Sequence, residues 1–230
     1  SLLLTPDHYT NRMLHSAGGV DLAELGVPVG SEMDEELSRS AFRKLCENWQ
    51  YLRGTPVQFW FESEFHDVFG VKVRPSAETA DEIYDQIAEC LTRDEYRPRA
   101  LYKRFNIEAL ATTDDPCSDL SAHQKLANDP GWDGRVVPTF RPDAYLEPAR
   151  PAWRELTSNL AEVTDVDIVD YASHVEAMRV RRRFFKDNGA VSTDHSHVDP
   201  GAEKLDDAEA ELLYAAARAG EISEVDATRL

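Results

Sequence analysis

The sequence has little cysteine, little lysine and no long apolar run, and each shortage narrows what the chain can do. Its three cysteines, Cys46, Cys90 and Cys117, are odd in number and far apart. With no CxxC pair among them, neither a disulfide framework nor a zinc-thiolate site is expected; buried free thiols in a reducing cytoplasm are the reading they favour. No apolar run approaches the roughly 20 residues that a membrane-crossing helix needs. The opening Ser1-Leu2-Leu3-Leu4 is too short for a signal peptide and has no basic flank. No GxGxxG or P-loop segment is present, which argues against nucleotide binding. An initiator methionine is missing too, so Ser1 is not expected to be the natural start. The chain reads as soluble and cytoplasmic.

Positive charge is scarce: 25 basic residues face 43 acidic ones, for a net charge of −18. Such a surface repels nucleic acid and anionic membrane, so neither is expected as a partner. Only six of the basic residues are lysines, against nineteen arginines. An acidic, lysine-poor surface fits a salty cytoplasm, although a GC-rich genome would also favour arginine. A small anion bound by so acidic a chain requires locally concentrated positive charge, which directs attention to arginines near strand ends.

What is present falls into three parts. Residues 1–30, with Gly18, Gly19, Gly26, Pro28 and Gly30, read as a short helix from Asp7 to His15 followed by loop. Residues 31–104 read as a helical block. Phe42, Leu45, Trp49 and Leu52 recur at helical spacing and predict a helix over 34–53. The aromatic run Phe59, Trp60, Phe61, Phe65 and Phe69 predicts a buried helix ending at Gly70. Thr79 and Glu82 form a capping-box pattern at the head of another helix, with Ala80, Ile83, Ile87 and Leu91 on one face.

From residue 105 to 230 the pattern changes to βα units. Strands are predicted over 105–113, 135–140 and 190–193, with helices over 118–128, 151–162, 167–187 and 205–219. This alternation implies a parallel sheet. Each strand ends in a polar cluster: Asp114-Asp115, Arg141-Pro142-Asp143 and Asp194-His195. Both βα barrels and doubly wound sheets build their sites at that edge, so the pattern alone does not separate them.

Several residues there are candidates for chemistry. Arg141, fixed ahead of a proline, is suited to grip a carboxylate with two parallel hydrogen bonds, or to make a structural ion pair with Asp143 or a helix end. Asp194 beside His195 suits a base, a metal ligand, an orienter of substrate hydroxyls or a plain capped loop. His195-x-His197 is a pair of the kind that zinc sites use, but two histidines alone are a weak signal, since a site needs at least one more ligand. His8 and Tyr9 would bring two acid/base groups to one pocket, or lie on a helix surface. Asp114 and Asp115 are most simply loop formers before Pro116. We expect Arg141 and Asp194 on the same edge of one sheet, with side chains converging on a shared cavity that His8-Tyr9 also approaches.

Taken together, these segments resemble the uronate isomerase family. Asp7-His8-Tyr9-Thr10-Asn11-Arg12 is similar to its D-H-Y-x-x-R segment, and Asn106 through Pro116 to its N-[IV]-E-x-[IL]-x-T-T-D-D-P strand. Val137 through Asp143 is similar to L-P-x-[WF]-R-P-D, and Ser192-Thr193-Asp194-His195 to a strand end S-D-H. The resemblance implies an α/β fold, part of a (β/α)8 TIM-like barrel of the metal-dependent amidohydrolase type. It also implies a large helical insertion after the first strand, into which the block at 31–104 fits. The implied reaction interconverts D-glucuronate and D-fructuronate, or D-galacturonate and D-tagaturonate, by moving a proton between C2 and C1 through an enediol. The substrate partner would be a small sugar acid. His8, Tyr9 and Asp194 carry over as catalytic candidates and Arg141 as the substrate anchor; a homo-oligomer is compatible with the reading.

Family members also carry an HxH pair upstream of D-H-Y, and a later His, Asp, Arg and Trp, none of which matches here. The divalent metal that the family implies, with zinc as the first choice, would therefore find its ligands outside this chain. The chain reads as an internal fragment that is a poor enzyme alone and aggregation-prone at open sheet edges. Two other readings compete: a metal-dependent hydrolase using His195 and His197, and a non-catalytic module that binds a partner. The acidic surface makes its own prediction: the melting temperature should rise across molar KCl, and indifference to salt would remove the high-salt reading.

Overall fold

The computed structural model describes residues 8–24, 26, 34–196 and 203–230, and of His8 the backbone only. Asp7 and His197 lie outside the described residues. The protein is mixed helical with a small parallel sheet, and it divides into two compact units, Ser1–Phe105 and Asn106–Leu230.

The first unit is helical: α1 (His8–Gly18), α2 (Glu35–Glu47), α3 (Pro56–Ser63), α4 (Ala80–Leu91) and α5 (Pro98–Arg104). Asp34 starts α2 by accepting a hydrogen bond from the Leu37 amide at 2.8 Å. The helix expected to run to residue 53 stops at Glu47. The Asn48 side chain donates to the Lys44 carbonyl at 2.9 Å, competing with the helix ladder, and Trp49–Leu52 continue as a 3-10 turn. Phe42, Leu45, Trp49 and Leu52 nevertheless stay buried, against Ile83, Tyr84 and Ile87 of α4. Gly18 has a packing reason: a Cβ there would meet the Tyr51 ring at 2.4 Å.

Two expectations for this unit need correction. The aromatic run is core only in part: Phe65 and Phe69 are buried, but Phe59 is 67% and Trp60 58% exposed. A helix covered on one side buries one stripe; Phe61 and Phe65, four apart, take it, and Phe59 and Trp60 face out. Thr79 makes no side-chain cap on α4. Its hydroxyl donates instead to the Arg74 carbonyl at 2.7 Å and accepts from the Ser76 amide at 3.0 Å, closing the turn before the helix.

The second unit contains β1 (Leu110–Ala111), α6 (Ser121–Ala127), β2 (Val136–Val137), α7 (Asp143–Leu146), α8 (Trp153–Thr164), α9 (Tyr171–Asp187), α10 (Asp207–Ala219) and α11 (Glu224–Arg229). β1 and β2 pair in parallel, Leu110 opposite Val136 and Ala111 opposite Val137. Single parallel bridges, Asp114 with Phe140 and Phe140 with Thr193, extend this pairing and add the third segment. The first strand does not start at Phe105 as expected. Phe105 closes α5, and Asn106 turns the chain with φ 51°, so the ladder begins only at Leu110. The third segment likewise pairs at a single residue rather than as a full strand.

Helices cover one face of this sheet. Phe140 packs edge-on against Phe185 of α9 at 5.0 Å between ring centres. α9 opens with a reciprocal capping box: the Asp170 carboxylate accepts from the Ser173 amide, and the Ser173 hydroxyl accepts from the Asp170 amide. Behind the sheet, His174 stacks on Trp153, and its Nδ1 lies 3.1 Å from the Tyr214 hydroxyl.

Burial pushes His174 down to about 4 from its ordinary 6.5. In the folded protein it therefore stays neutral where the unfolded chain has begun to take up a proton. Its contribution is complete above pH 6.5 and fades as pH falls toward 4, by up to about 3 kcal/mol. Melting temperature should therefore drop from pH 6.5 to 5, before most carboxylates titrate. His174→Gln, which keeps a partner for Tyr214, should flatten that limb; an unchanged slope would mean that His174 is not responsible.

Candidate active site

The three polar strand ends are joined through the backbone. The Asp114 amide donates to the Thr139 carbonyl at 3.0 Å, and the Arg141 amide to the Asp114 carbonyl at 3.1 Å. On the other side, the Phe140 amide donates to Ser192 at 3.3 Å and the Asp194 amide to Phe140 at 3.0 Å. Arg141 and Asp194 thus follow adjacent segments at the same end of a parallel arrangement, where the expectation had them. Their side chains converge: Arg141 Nη2 lies 3.7 Å from Asp194 Oδ2. Both are open to solvent, at 41% and 47%. An exposed pair at that distance contributes about 0–1 kcal/mol, so its interest is geometric.

The expected shared cavity is a different matter. A cavity of about 370 Å³ does lie beside these strand ends, but it is lined by Phe140, Pro142, Thr193 and His195 together with Trp153 and His174. Arg141 and Asp194 are not among its lining residues. The reason is alternation: successive residues of extended backbone point to opposite faces. Phe140 and Thr193 face the helices, so Arg141 and Asp194 face the other way.

Beside them, Asp143 is only 14% exposed and engages both carboxylate oxygens. Oδ2 accepts from Arg141 Nε at 2.9 Å and Oδ1 from the Ser196 amide at 2.9 Å. The structural ion pair considered for Arg141 therefore exists, and it is made through Nε rather than through the terminal nitrogens of the guanidinium.

The loop after β1 is held more firmly than its sequence suggested. Asp115 Oδ1 accepts from the Cys117 amide at 2.8 Å and from the Tyr145 hydroxyl at 2.9 Å. Arg181 of α9 reaches into the same loop, donating from Nε to the Pro116 carbonyl at 2.6 Å and from Nη2 to Ser118 at 2.7 Å. It is buried, and desolvation lowers its pKa. Burial likewise raises Tyr145 and Cys117, so both stay protonated at neutral pH. On the near side, the Thr112 hydroxyl donates to Asp114 Oδ2 at 2.7 Å and sits 2.8 Å from His123 Nε2. Tyr145, Arg181 and His123 were missed by sequence reasoning. Arg181 carried a readable signal: it continues the stripe His174, Ala177, Met178, Phe185, where a charged residue is out of place unless its side chain finds carbonyls.

His8 and Tyr9 stand at the start of α1, in the first unit; Tyr9 is 55% exposed. His195 is exposed. Among the described residues no group of three His, Cys, Asp or Glu side chains could hold a metal ion. These residues therefore do not fit a metal centre. Nor is any helix among them long and apolar enough to cross a membrane.

Comparison with known proteins bears on this geometry. A family model described as glucuronate isomerase matches residues 1–229. The uronate isomerase of Cutibacterium acnes is 49% identical over 220 residues, covering 96% of this chain and 46% of that protein. That of Rhizobium meliloti is 45% identical over 221 residues, covering 95% and 46%. The crystal structure of glucuronate isomerase from Caulobacter crescentus superposes with a TM-score of 0.83 at 37% identity, covering 99% of this chain and 47% of that one. Uronate isomerase from Thermotoga maritima gives 0.80 at 25% identity, covering 97% and 48%. The chain spans about half the length of the relatives it matches.

Proposed function

The chain belongs to the glucuronate isomerase family, and from that premise we propose that it supplies the carboxylate clamp and part of the proton-transfer machinery of a uronate isomerase. The reaction is the interconversion of D-glucuronate and D-fructuronate, or D-galacturonate and D-tagaturonate. A proton leaves C2 and arrives at C1 through an enediol, while the hydroxyl proton passes between O2 and O1. The observation that carries the reading is the convergence of Arg141 and Asp194 at adjacent parallel strand ends.

Arg141 meets the C6 carboxylate with its terminal nitrogens. Its charge is permanent, which suits a clamp and rules it out as a proton carrier. Asp194 orients the substrate hydroxyls or assists proton movement. His8 and Tyr9 are the candidates for proton transfer at the oxygens. The exposure of Leu110 in β1, at 40%, and of Val191 in the third segment, at 73%, supports membership in a larger sheet, because parallel sheets ordinarily cover both faces. That larger sheet is proposed as the (β/α)8 barrel, with the helical block at 31–104 as its insertion. A divalent metal, zinc as first choice, belongs to this proposal as a group held by residues outside this chain, in a cytoplasmic enzyme.

The test is a hybrid in which this chain replaces the matching 46% of the Cutibacterium acnes uronate isomerase. The hybrid should form ketose uronate from D-glucuronate, and the 230-residue chain alone should not. In the hybrid, Arg141→Lys should raise KM at least about tenfold, since an ammonium cannot reproduce a planar two-bond grip. Tyr9→Phe should lower kcat more than it raises KM. Comparable turnover by the chain alone, or an unchanged KM in Arg141→Lys, would overturn the proposal.

A further inference from the structure

Asp143 has no part in the carboxylate clamp or the proton transfer proposed for this chain. It is less exposed than Arg141 and Asp194, and both of its oxygens are engaged, on two different segments. One oxygen holds Arg141 at Nε; the other holds the amide of Ser196, two residues after Asp194. We infer that Asp143 is a positioning residue: it fixes the rotation of the Arg141 guanidinium and ties it to the segment carrying Asp194, so that clamp and acid/base group stand at a set separation. This rests on the reading of Arg141 as the carboxylate clamp.

The geometry gives the contact a specific task. A guanidinium offers donors along two usable edges, one through Nε and one through the two terminal nitrogens. Asp143 occupies Nε, so the terminal edge is the one presented to a substrate carboxylate. Nη2 already lies 3.7 Å from Asp194. Without Asp143, the nearest described carboxylate for Arg141 is Asp194, and a bidentate pair between them would be the favoured arrangement. Such a pair would remove the clamp and occupy Asp194 together. Asp143 holds Arg141 away from that collapse. Backbone bonds fix the bases of the two side chains, Arg141 on Asp114 and Asp194 on Phe140. The hydrogen bond to Asp143, by contrast, acts on the guanidinium itself. A displacement of about 1 Å at a positioning contact is enough to cost on the order of 10²-fold in rate.

Asp143→Asn is a selective probe. The amide oxygen still accepts from Ser196, while the amide nitrogen opposes Arg141 Nε donor to donor. In the hybrid enzyme, Asp143→Asn should raise KM about tenfold. In an Arg141→Lys background the same change should add almost nothing, because an ammonium has no Nε edge to hold. That non-additivity is a readout that a purely structural loss would not produce. Additive losses would overturn the inference, as would an Asp143→Asn enzyme with unchanged KM beside an Arg141→Lys enzyme with raised KM. If Arg141→Lys itself left KM unchanged, the clamp assignment would fall first, and the inference with it. Should the hybrid variant fail to fold, the 230-residue chain supplies a second measurement. The Arg141 Nε–H resonance in its NMR spectrum should shift and exchange faster in Asp143→Asn, and an unmoved resonance would overturn the inference.

Discussion

Phe140 ties the second unit together in two directions. Its backbone bridges Asp114 on one side and Thr193 on the other, so three chain segments run side by side through one residue. Its ring turns to the helices and packs on Phe185. Because extended backbone alternates, committing Phe140 to the helical layer commits Arg141 to the opposite face. The same holds for Thr193 and Asp194. The candidate site is thus a consequence of where the aromatic side chain is buried: the core on one face sets the chemistry on the other.

α9 carries the supporting load through polar groups as well as apolar ones. His174, Arg181 and Phe185 lie on its buried stripe. Phe185 fills space, His174 is held neutral by burial, and Arg181 extends through the core to two carbonyls of the loop after β1. A buried guanidinium is costly unless its donors are satisfied. Here it donates to the Pro116 and Ser118 carbonyls, which tie the loop carrying Asp114 and Asp115 to α9. Hydrogen bonds to a charged donor contribute more than neutral ones, roughly 1.5–3 kcal/mol, which favours retaining the charge over replacing it with an apolar side chain.

The helices were legible wherever apolar spacing ran over three turns, as in α2, α4, α8 and α9. Their ends were not. Asn48 stops α2 by a local side-chain bond that periodicity does not see, and Thr79 spends its hydroxyl on a turn rather than on the cap its spacing suggested. The strands were legible as apolar runs followed by polar clusters, but their pairing reached only a few residues. Arg141 and Asp194 stood out because of their place at strand ends. Asp143 was visible only as an ion-pair partner for Arg141; that its second oxygen reaches Ser196 depends on two segments more than fifty residues apart being neighbours. Local pattern carries no such information. Phe59 and Trp60 show the converse limit, since aromatic content indicates a core without saying which side of a short helix faces it.

Family membership and geometry meet at one atom group, the outer edge of the Arg141 guanidinium. A crystal structure of the hybrid enzyme with D-glucuronate bound tests that meeting most directly. The C6 carboxylate should lie against the terminal nitrogens of Arg141, with Asp143 still on Nε and Asp194 within hydrogen-bond reach of a substrate hydroxyl. A carboxylate bound elsewhere, with Arg141 closed onto Asp194, would contradict it.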